Sequence, residues 1–82
     1  MPVGPGGAVI GRSRECDIVL SDSNVSRRHA EIRPAGGDSW TITDLGSTNG
    51  VKVNGRQVSS APLKPGDAVV VGTVDVRFEV EG

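Results

Sequence analysis

Three short polar segments of this chain carry residue types that could act together on one ligand. They are Gly11-Arg12, Ser26-Arg27-Arg28-His29 and Ser47-Thr48-Asn49-Gly50. They supply guanidinium groups, hydroxyls, a side-chain amide and loop backbone N–H groups, all of which donate hydrogen bonds to phosphate oxygens. The combination suits a phosphate dianion attached to a peptide. It offers no obvious activated nucleophile and no metal cage.

Bond-making chemistry fits these residues less well. A serine hydrolase would use Ser26 as nucleophile, His29 as base and a carboxylate such as Asp44. The strained Gly-x-Ser-x-Gly turn of such enzymes is absent, because the residues around this serine read Asn-Val-Ser-Arg-Arg. A tetrahedral zinc site lacks ligands, since the chain has one cysteine and one histidine. We therefore expect no catalysis, no metal and no cofactor.

Composition limits the class of partner. The chain has 82 residues and a formal net charge of -1, so we expect a single domain, 1–82, with no overall attraction to nucleic acid or membrane. Any anion site must be local and built from a few arginines. Cys16 is the single cysteine, and the first residues do not resemble a signal peptide. Both features favour a reducing, cytoplasmic location.

Apolar and polar residues alternate in several short stretches. This period of two covers residues 30–33, 40–43 and 74–80 and is typical of half-buried strands. The run from Ala68 to Val71 is apolar enough to predict burial on both faces. No stretch shows helical periodicity with caps. The fold class predicted from these patterns is all-β.

Turn residues separate the predicted strands. Asn54-Gly55 predicts a tight hairpin, because both residues tolerate positive φ. Gly36-Gly37 and Gly72-Thr73 predict two further reversals. Short antiparallel strands at this spacing predict a β-sandwich with the polar segments in loops at one end. Residues 1–7 are rich in glycine and proline, and we expect them to be irregular.

The roles of individual side chains follow from their positions. The hydroxyl and the backbone N–H of Ser26 could both donate to one phosphate oxygen. In an extended segment Arg27 and Arg28 face opposite ways, and we favour Arg27 because it adjoins the serine. His29 precedes a predicted strand, and we expect it to hold the loop that carries the serine. Residues 47–50 are equally compatible with a plain polar loop that ends in a turn glycine.

The order of the three motifs resembles that of the forkhead-associated (FHA) domain, a phosphothreonine-binding module. The likeness extends from about Val9 to the last predicted strand and includes residues 16–20 and 63–69. Residues 25–31, Val-Ser-Arg-Arg-His-Ala-Glu, are especially similar to bacterial members that work with Ser/Thr kinases. The resemblance implies an eleven-stranded sandwich that grips an extended peptide at one end.

The resemblance also implies roles for eight positions. Those expected to bind the phosphothreonine residue and its main chain are Arg12, Ser26, Arg27, Thr48 and Asn49. Those expected to shape the site are Gly11, His29 and Gly50. The implied function is non-catalytic recognition of phosphothreonine in a partner protein, such as a kinase or its substrate. The alternative is a protein-interaction or assembly module that does not require phosphate.

One feature departs from the usual family pattern. Only ten residues precede the Gly11-Arg12 motif, where family members usually carry another strand or two. We therefore expect the usual first strands to be lacking and a sheet edge to be uncovered. An uncovered edge favours dimerisation or strand exchange between chains.

Overall fold

The computed structural model describes residues 1–81, which form short strands and no helix. The strands are β1 (Pro2–Val3), β2 (Ala8–Gly11), β3 (Ile18–Val19), β4 (Ala30–Pro34), β5 (Trp40–Asp44), β6 (Val51–Val53), β7 (Arg56–Val58), β8 (Ser60–Leu63), β9 (Ala68–Val71), β10 (Val74–Arg77) and β11 (Glu79–Val80). Nothing in residues 1–81 therefore forms a helix suited to crossing a membrane.

Two larger sheets enclose one apolar core. One has five strands in the order β3-β2-β4-β5-β8, and the other has four in the order β10-β9-β6-β7. The pairs are antiparallel except for β2 with β3 and the separate pair of β1 with β11, which are parallel. The predicted all-β sandwich is confirmed.

The alternation along β4 and β5 directs apolar side chains inward. Ile32 and Ile42 are fully buried. Glu31 and Thr41, which precede them on their strands, are only partly buried. Burial of an isoleucine or valine side chain stabilises a fold by about 1.5–3 kcal/mol relative to exposure. This inward-facing row anchors β4 and β5, whose ends carry two of the polar segments.

The predicted burial of β9 on both faces is wrong. Val69 and Val71 are buried in the core, but Ala68 is exposed and Val70 is half-buried. The outer face of this sheet is open to solvent over the described residues, so only alternate residues of β9 are covered.

The predicted strand over residues 74–80 divides into two at Phe78. The N–H of Phe78 donates to the carbonyl of Asp67 at 2.9 Å, and its own carbonyl accepts from the N–H of Gly66 at 2.8 Å. These bonds turn the side chain into the core, where its ring meets Trp40 edge-on with centroids 5.6 Å apart. The chain then continues as β11.

The start of the chain differs from the irregular segment expected for residues 1–7. Pro2 and Val3 form β1, which lies parallel to β11 with Pro2 opposite Glu79 and Val3 opposite Val80. The side chain of Val3 is 1% exposed and belongs to the core. Burial of this one apolar side chain therefore organises a segment that its composition alone would leave irregular.

The predicted hairpin turns are confirmed. Asn54 and Gly55 have φ values of 50° and 86° and join β6 to β7, as a two-residue turn with positive φ at both positions requires. Gly36-Gly37 lies in the hairpin from β4 to β5, and Gly72-Thr73 joins β9 to β10. The first two turns lie at one end of the sandwich, and the polar segments lie at the other.

Candidate functional site

The three polar segments meet at one end of the sandwich. Arg12 follows β2, Ser26 lies in the loop before β4, and residues 47–50 join β5 to β6. The N–H of Arg12 donates to the carbonyl of Ser26 at 3.0 Å, and the N–H of Thr48 donates to Ser26 Oγ at 3.2 Å. Ser26 therefore connects the first segment to the third.

Two glycines of the site are required for different reasons. At Gly11 a Cβ would collide with the backbone carbonyl of Arg27, so the position needs glycine for close approach of two loops. Gly50 has a φ of 80°, and a Cβ there would lie 2.9 Å from Gln57 Nε2. Both positions therefore constrain the backbone of the loops that carry the polar segments.

Arg12 is exposed at the edge of the site. Its Nε donates to the carbonyl of Val25 at 3.1 Å, which fixes the direction of the side chain. Its terminal nitrogens make no ion pair with any carboxylate of residues 1–81, where the side-chain ion pair is that between Arg33 and Glu31. The remaining N–H groups of Arg12 are therefore free to bind an external anion.

His29 is fully buried and joins two loops. Its Nδ1 accepts from the N–H of Ser26 at 3.0 Å, and its Nε2 lies 2.7 Å from the carbonyl of Gly50. Because an amide N–H only donates and a carbonyl only accepts, the ring carries its proton on Nε2. The expected role of His29 in holding the serine loop is therefore supported by both contacts.

The same contacts argue against the serine hydrolase arrangement. Both ring nitrogens of His29 are engaged by backbone groups, so neither is available to take a proton from the Ser26 hydroxyl. Asp44 bonds Ser47 rather than the imidazole, through Oδ1 at 2.7 Å and Oδ2 at 2.9 Å. Nucleophile, base and carboxylate do not form a triad.

One expectation about Ser26 is wrong. Its backbone N–H is not free for phosphate, because it donates to His29 Nδ1. Its hydroxyl oxygen accepts from the N–H of Thr48, which leaves the hydroxyl proton to point away toward a ligand. The spacing of three residues between Ser26 and His29 is a local signal from which this side-chain contact could have been predicted.

The structural contribution of Asp44 and Ser47 was not predicted from the sequence. Ser47 donates its N–H and its hydroxyl to the carboxylate of Asp44, and its Oγ accepts from the N–H of Gly50 at 3.0 Å. These bonds hold the loop that carries Thr48 and Asn49. The spacing from Asp44 to Ser47 is typical of a local side-chain turn, so this signal was present in the sequence.

Asn49 lies beside a chain of polar contacts. Its Nδ2 donates to the carbonyl of Asn24 at 2.8 Å, and Asn24 Nδ2 donates to Thr73 Oγ1 at 3.4 Å. The amide of Asn49 retains its oxygen and one N–H for a ligand. Asn24 therefore bonds both Asn49 and Thr73, which links the loop of residues 47–50 to the turn between β9 and β10.

Four of the five predicted contact residues share one open concavity of about 150 Å³. Its lining residues are Arg12, Ser23, Asn24, Val25, Ser26, Thr48 and Asn49. None of them is acidic. Arg27 lines an adjacent concavity with Arg12 and Ser13, and it also lines a third concavity with Arg28 and Cys16. No cluster of three or more potential metal ligands occurs within residues 1–81.

Comparison with known proteins agrees with this geometry. The sequence model of the FHA domain family matches residues 8–72 of this chain. Glycogen accumulation regulator GarA of Mycolicibacterium smegmatis is 50% identical over 68 residues, which cover 83% of this chain and 42% of that protein. The chain spans less than half the length of the curated relatives it matches.

Solved structures give the same result. An FHA domain from a study of phosphothreonine-dependent FHA domain interactions superposes with a TM-score of 0.80 at 39% identity, covering 88% of this chain and 74% of that one. Mycobacterium tuberculosis EmbR in complex with a low-affinity phosphopeptide gives 0.82 at 37% identity, covering 90% and 20%. The chain belongs to the FHA domain family.

Proposed function

We propose that this domain binds phosphothreonine in partner proteins of Ser/Thr kinase signalling. The observation that carries the proposal is the shared concavity of Arg12, Ser26, Thr48 and Asn49. These residues come from three separate segments, carry groups that can donate hydrogen bonds to phosphate oxygens or a peptide main chain, and line a surface without a carboxylate. The phosphopeptide complex of EmbR, a similar structure, supports the same ligand class.

The proposed contacts follow from the donors that remain free. A phosphate monoester carries a charge of about -1.5 to -2 near neutral pH and three strong acceptor oxygens. The guanidinium of Arg12 supplies positive charge, and the hydroxyls of Ser26 and Thr48 donate to the oxygens. The amide of Asn49 bonds the peptide main chain beside the modified residue. Unmodified threonine lacks both charge and acceptors, so the site discriminates against it.

The partner class includes a Ser/Thr kinase or a kinase substrate, and the domain itself is non-catalytic and cytoplasmic. Cys16 as a free thiol is consistent with a reducing compartment. The net charge of -1 gives no reason to expect nucleic acid or membrane as a partner. Strand β10 pairs only with β9 among the described strands, and we propose this edge as the place for dimerisation or strand exchange.

The function is tested with peptides that differ only in the modification. Isothermal titration of one threonine peptide, unmodified and phosphorylated, should show binding of the phosphorylated form alone. Hydrolysis of a generic ester should remain at the level of buffer. Equal affinity for both peptides would favour the alternative, an interaction module that does not require phosphate. Sedimentation velocity at increasing concentration tests the proposed β10 edge separately.

A further inference from the structure

A second concavity adjoins the one proposed for phosphothreonine. It has a volume of about 230 Å³ and is lined by Arg12, Ser13 and Arg27. Arg12 also lines the first concavity, so its side chain lies between the two. Neither Ser26 nor Asn49 lines the second concavity, so Arg12 is the residue that the two concavities share.

The second concavity holds donors and no acid. Arg27 is exposed and makes no ion pair with residues 1–81, and no carboxylate lines the space. Ser13 Oγ accepts from the N–H of Glu15 at 3.2 Å, which leaves its hydroxyl proton for a ligand. Ser13 and Arg27 also line the third concavity, which includes Glu15 and Asp17. The space that they share with Arg12 has two guanidinium groups, a hydroxyl and no carboxylate.

The backbone of Arg27 is held in place. Its carbonyl accepts from the N–H of Ser13 at 3.1 Å and from Cys16 Sγ at 3.1 Å, and it packs against Gly11. A side chain on a fixed backbone loses less conformational freedom on binding than one on a mobile loop. These contacts hold the backbone of Arg27 against residues 11–16, and its side chain lines the second concavity together with Arg12.

We propose that the second concavity binds a second anionic group on the same peptide, either another phosphate or an acidic side chain. The proposal rests on the proposed phosphothreonine site. An extended peptide advances about 3.3 Å per residue, so an anion one to three residues from the phosphothreonine is within reach. The domain is then selective for doubly anionic segments.

The experiment compares four kinds of peptide by fluorescence anisotropy. The first carries a single phosphothreonine. The other three carry, in addition, a second phosphothreonine, a glutamate or a neutral glutamine. This additional residue is placed two or three positions before or after the first phosphothreonine. Exposed ion pairs are individually weak, so we expect a gain of about three- to tenfold for the second phosphate in one direction and less for glutamate. Glutamine should give no gain.

Variants show where the gain arises. Arg27→Ala should remove it while the singly phosphorylated peptide still binds, and Arg27→Lys should retain part of it. Arg28→Ala removes the same charge one residue away, outside this concavity, and should leave the gain intact. The ratio of affinities for the two peptides isolates the coupling between Arg27 and the second anion.

Three results would overturn the inference. The first is that a second anionic group raises the affinity in neither direction along the peptide. The second is that the increase in affinity persists in Arg27→Ala. The third is that Arg28→Ala reduces the increase as much as Arg27→Ala does, which would indicate general electrostatic attraction rather than a site at Arg27. In each case binding of the singly phosphorylated peptide leaves the phosphothreonine site standing. Failure of every phosphopeptide to bind would instead reject the proposed function and the inference with it.

Discussion

The two ends of the sandwich use polar side chains differently. At the loop end, formed by residues 11–29, 45–50 and 72–73, side chains bond the backbones of distant segments and guanidinium groups remain unpaired. At the turn end, formed by residues 34–39, 54–55 and 64–67, the carboxylate of Asp67 accepts from Lys64 N–H at 2.9 Å and Asn54 Nδ2 at 3.2 Å. At the loop end, guanidinium donors remain for a ligand, whereas at the turn end the carboxylate of Asp67 is already hydrogen-bonded within the protein.

This difference separates binding from stability. Exposed groups that bond only water contribute little to folding, so they can be removed with small loss of stability. Side chains that accept hydrogen bonds from backbone N–H groups in a tight turn stabilise the fold, and at the turn end they lie away from the proposed binding site. Substitutions at the loop end should therefore weaken binding, and those at the turn end should weaken folding.

His29 is the exception to this division and should give the largest effect. It lies at the loop end but is fully buried, so His29→Ala leaves a cavity and two unpaired backbone groups. We expect the free energy of unfolding to fall by about 3 kcal/mol or more, together with loss of phosphopeptide binding. Urea denaturation measures the first effect.

The matched control is Arg28→Ala, which removes an exposed neighbour and should change stability by less than about 0.5 kcal/mol. If His29→Ala abolished binding with unchanged stability, the imidazole would contact the ligand and its assignment as a loop-holding residue would be wrong.

Arg12→Ala should weaken phosphopeptide binding strongly while leaving the stability of the fold almost unchanged. Two lost charge-assisted hydrogen bonds to phosphate predict at least about 30-fold weaker binding, while the melting temperature changes little because the side chain has one internal bond. Titration of the phosphothreonine peptide and a thermal melt give both values. Arg33→Ala, an exposed arginine paired with Glu31, is the charge-matched control. Unchanged affinity in Arg12→Ala would remove this residue from the site.

Asn49 at the loop end and Asn54 at the turn end allow the two ends to be compared with the same substitution, asparagine to alanine. Asn49→Ala should weaken phosphopeptide binding by about five- to tenfold, since one or two main-chain hydrogen bonds are lost. Asn54→Ala should lower stability by about 1 kcal/mol, because Asn54 has a φ of 50° and bonds Ala68 N–H at 3.0 Å. Each variant serves as the control for the other. A stability loss confined to Asn49→Ala would contradict the division.

The smallest effect is a dependence on pH at the turn end. The backbone N–H of Lys64 and the side chain of Asn54 lower the pKa of Asp67 below its usual 3.8. The unfolded chain therefore binds the Asp67 proton more readily, and the stability from this carboxylate is present above that value and is lost as pH falls through the lowered pKa. Melting of wild type and Asp67→Asn should converge over this acidic range. A difference that stayed constant to strongly acidic pH would rule out the ionised carboxylate as its source.

Much of the fold was predictable because its signals are local. Alternation in β4 and β5 reports which residues face the core, and Asn54-Gly55 reports a turn that few other residues tolerate. The β1 strand had no such signal. Its two residues are ordered by pairing with Glu79 and Val80 at the far end of the chain, which no local pattern predicts.

The candidate site was predictable in part for the same reason. Arg12, Ser26, Thr48 and Asn49 were selected by residue type and motif order, and they share a concavity. The place of Arg27 was not predictable, because it depends on contacts of its carbonyl with Ser13 and Cys16. The Asp44 and Ser47 bonds lie within four residues of chain and could have been inferred.

Residue types and their order along the chain were enough to specify the donor chemistry, the β-strands and the tight turns, since each depends on near neighbours. Which donors stay free was settled only when the sheets packed and brought distant loops together. The N–H of Ser26 donates to the buried imidazole of His29, whereas Arg12 donates within the protein through Nε and its terminal nitrogens remain for a ligand. Hydrogen bonds require atoms to meet at fixed distance and angle, and that meeting is a property of the folded chain.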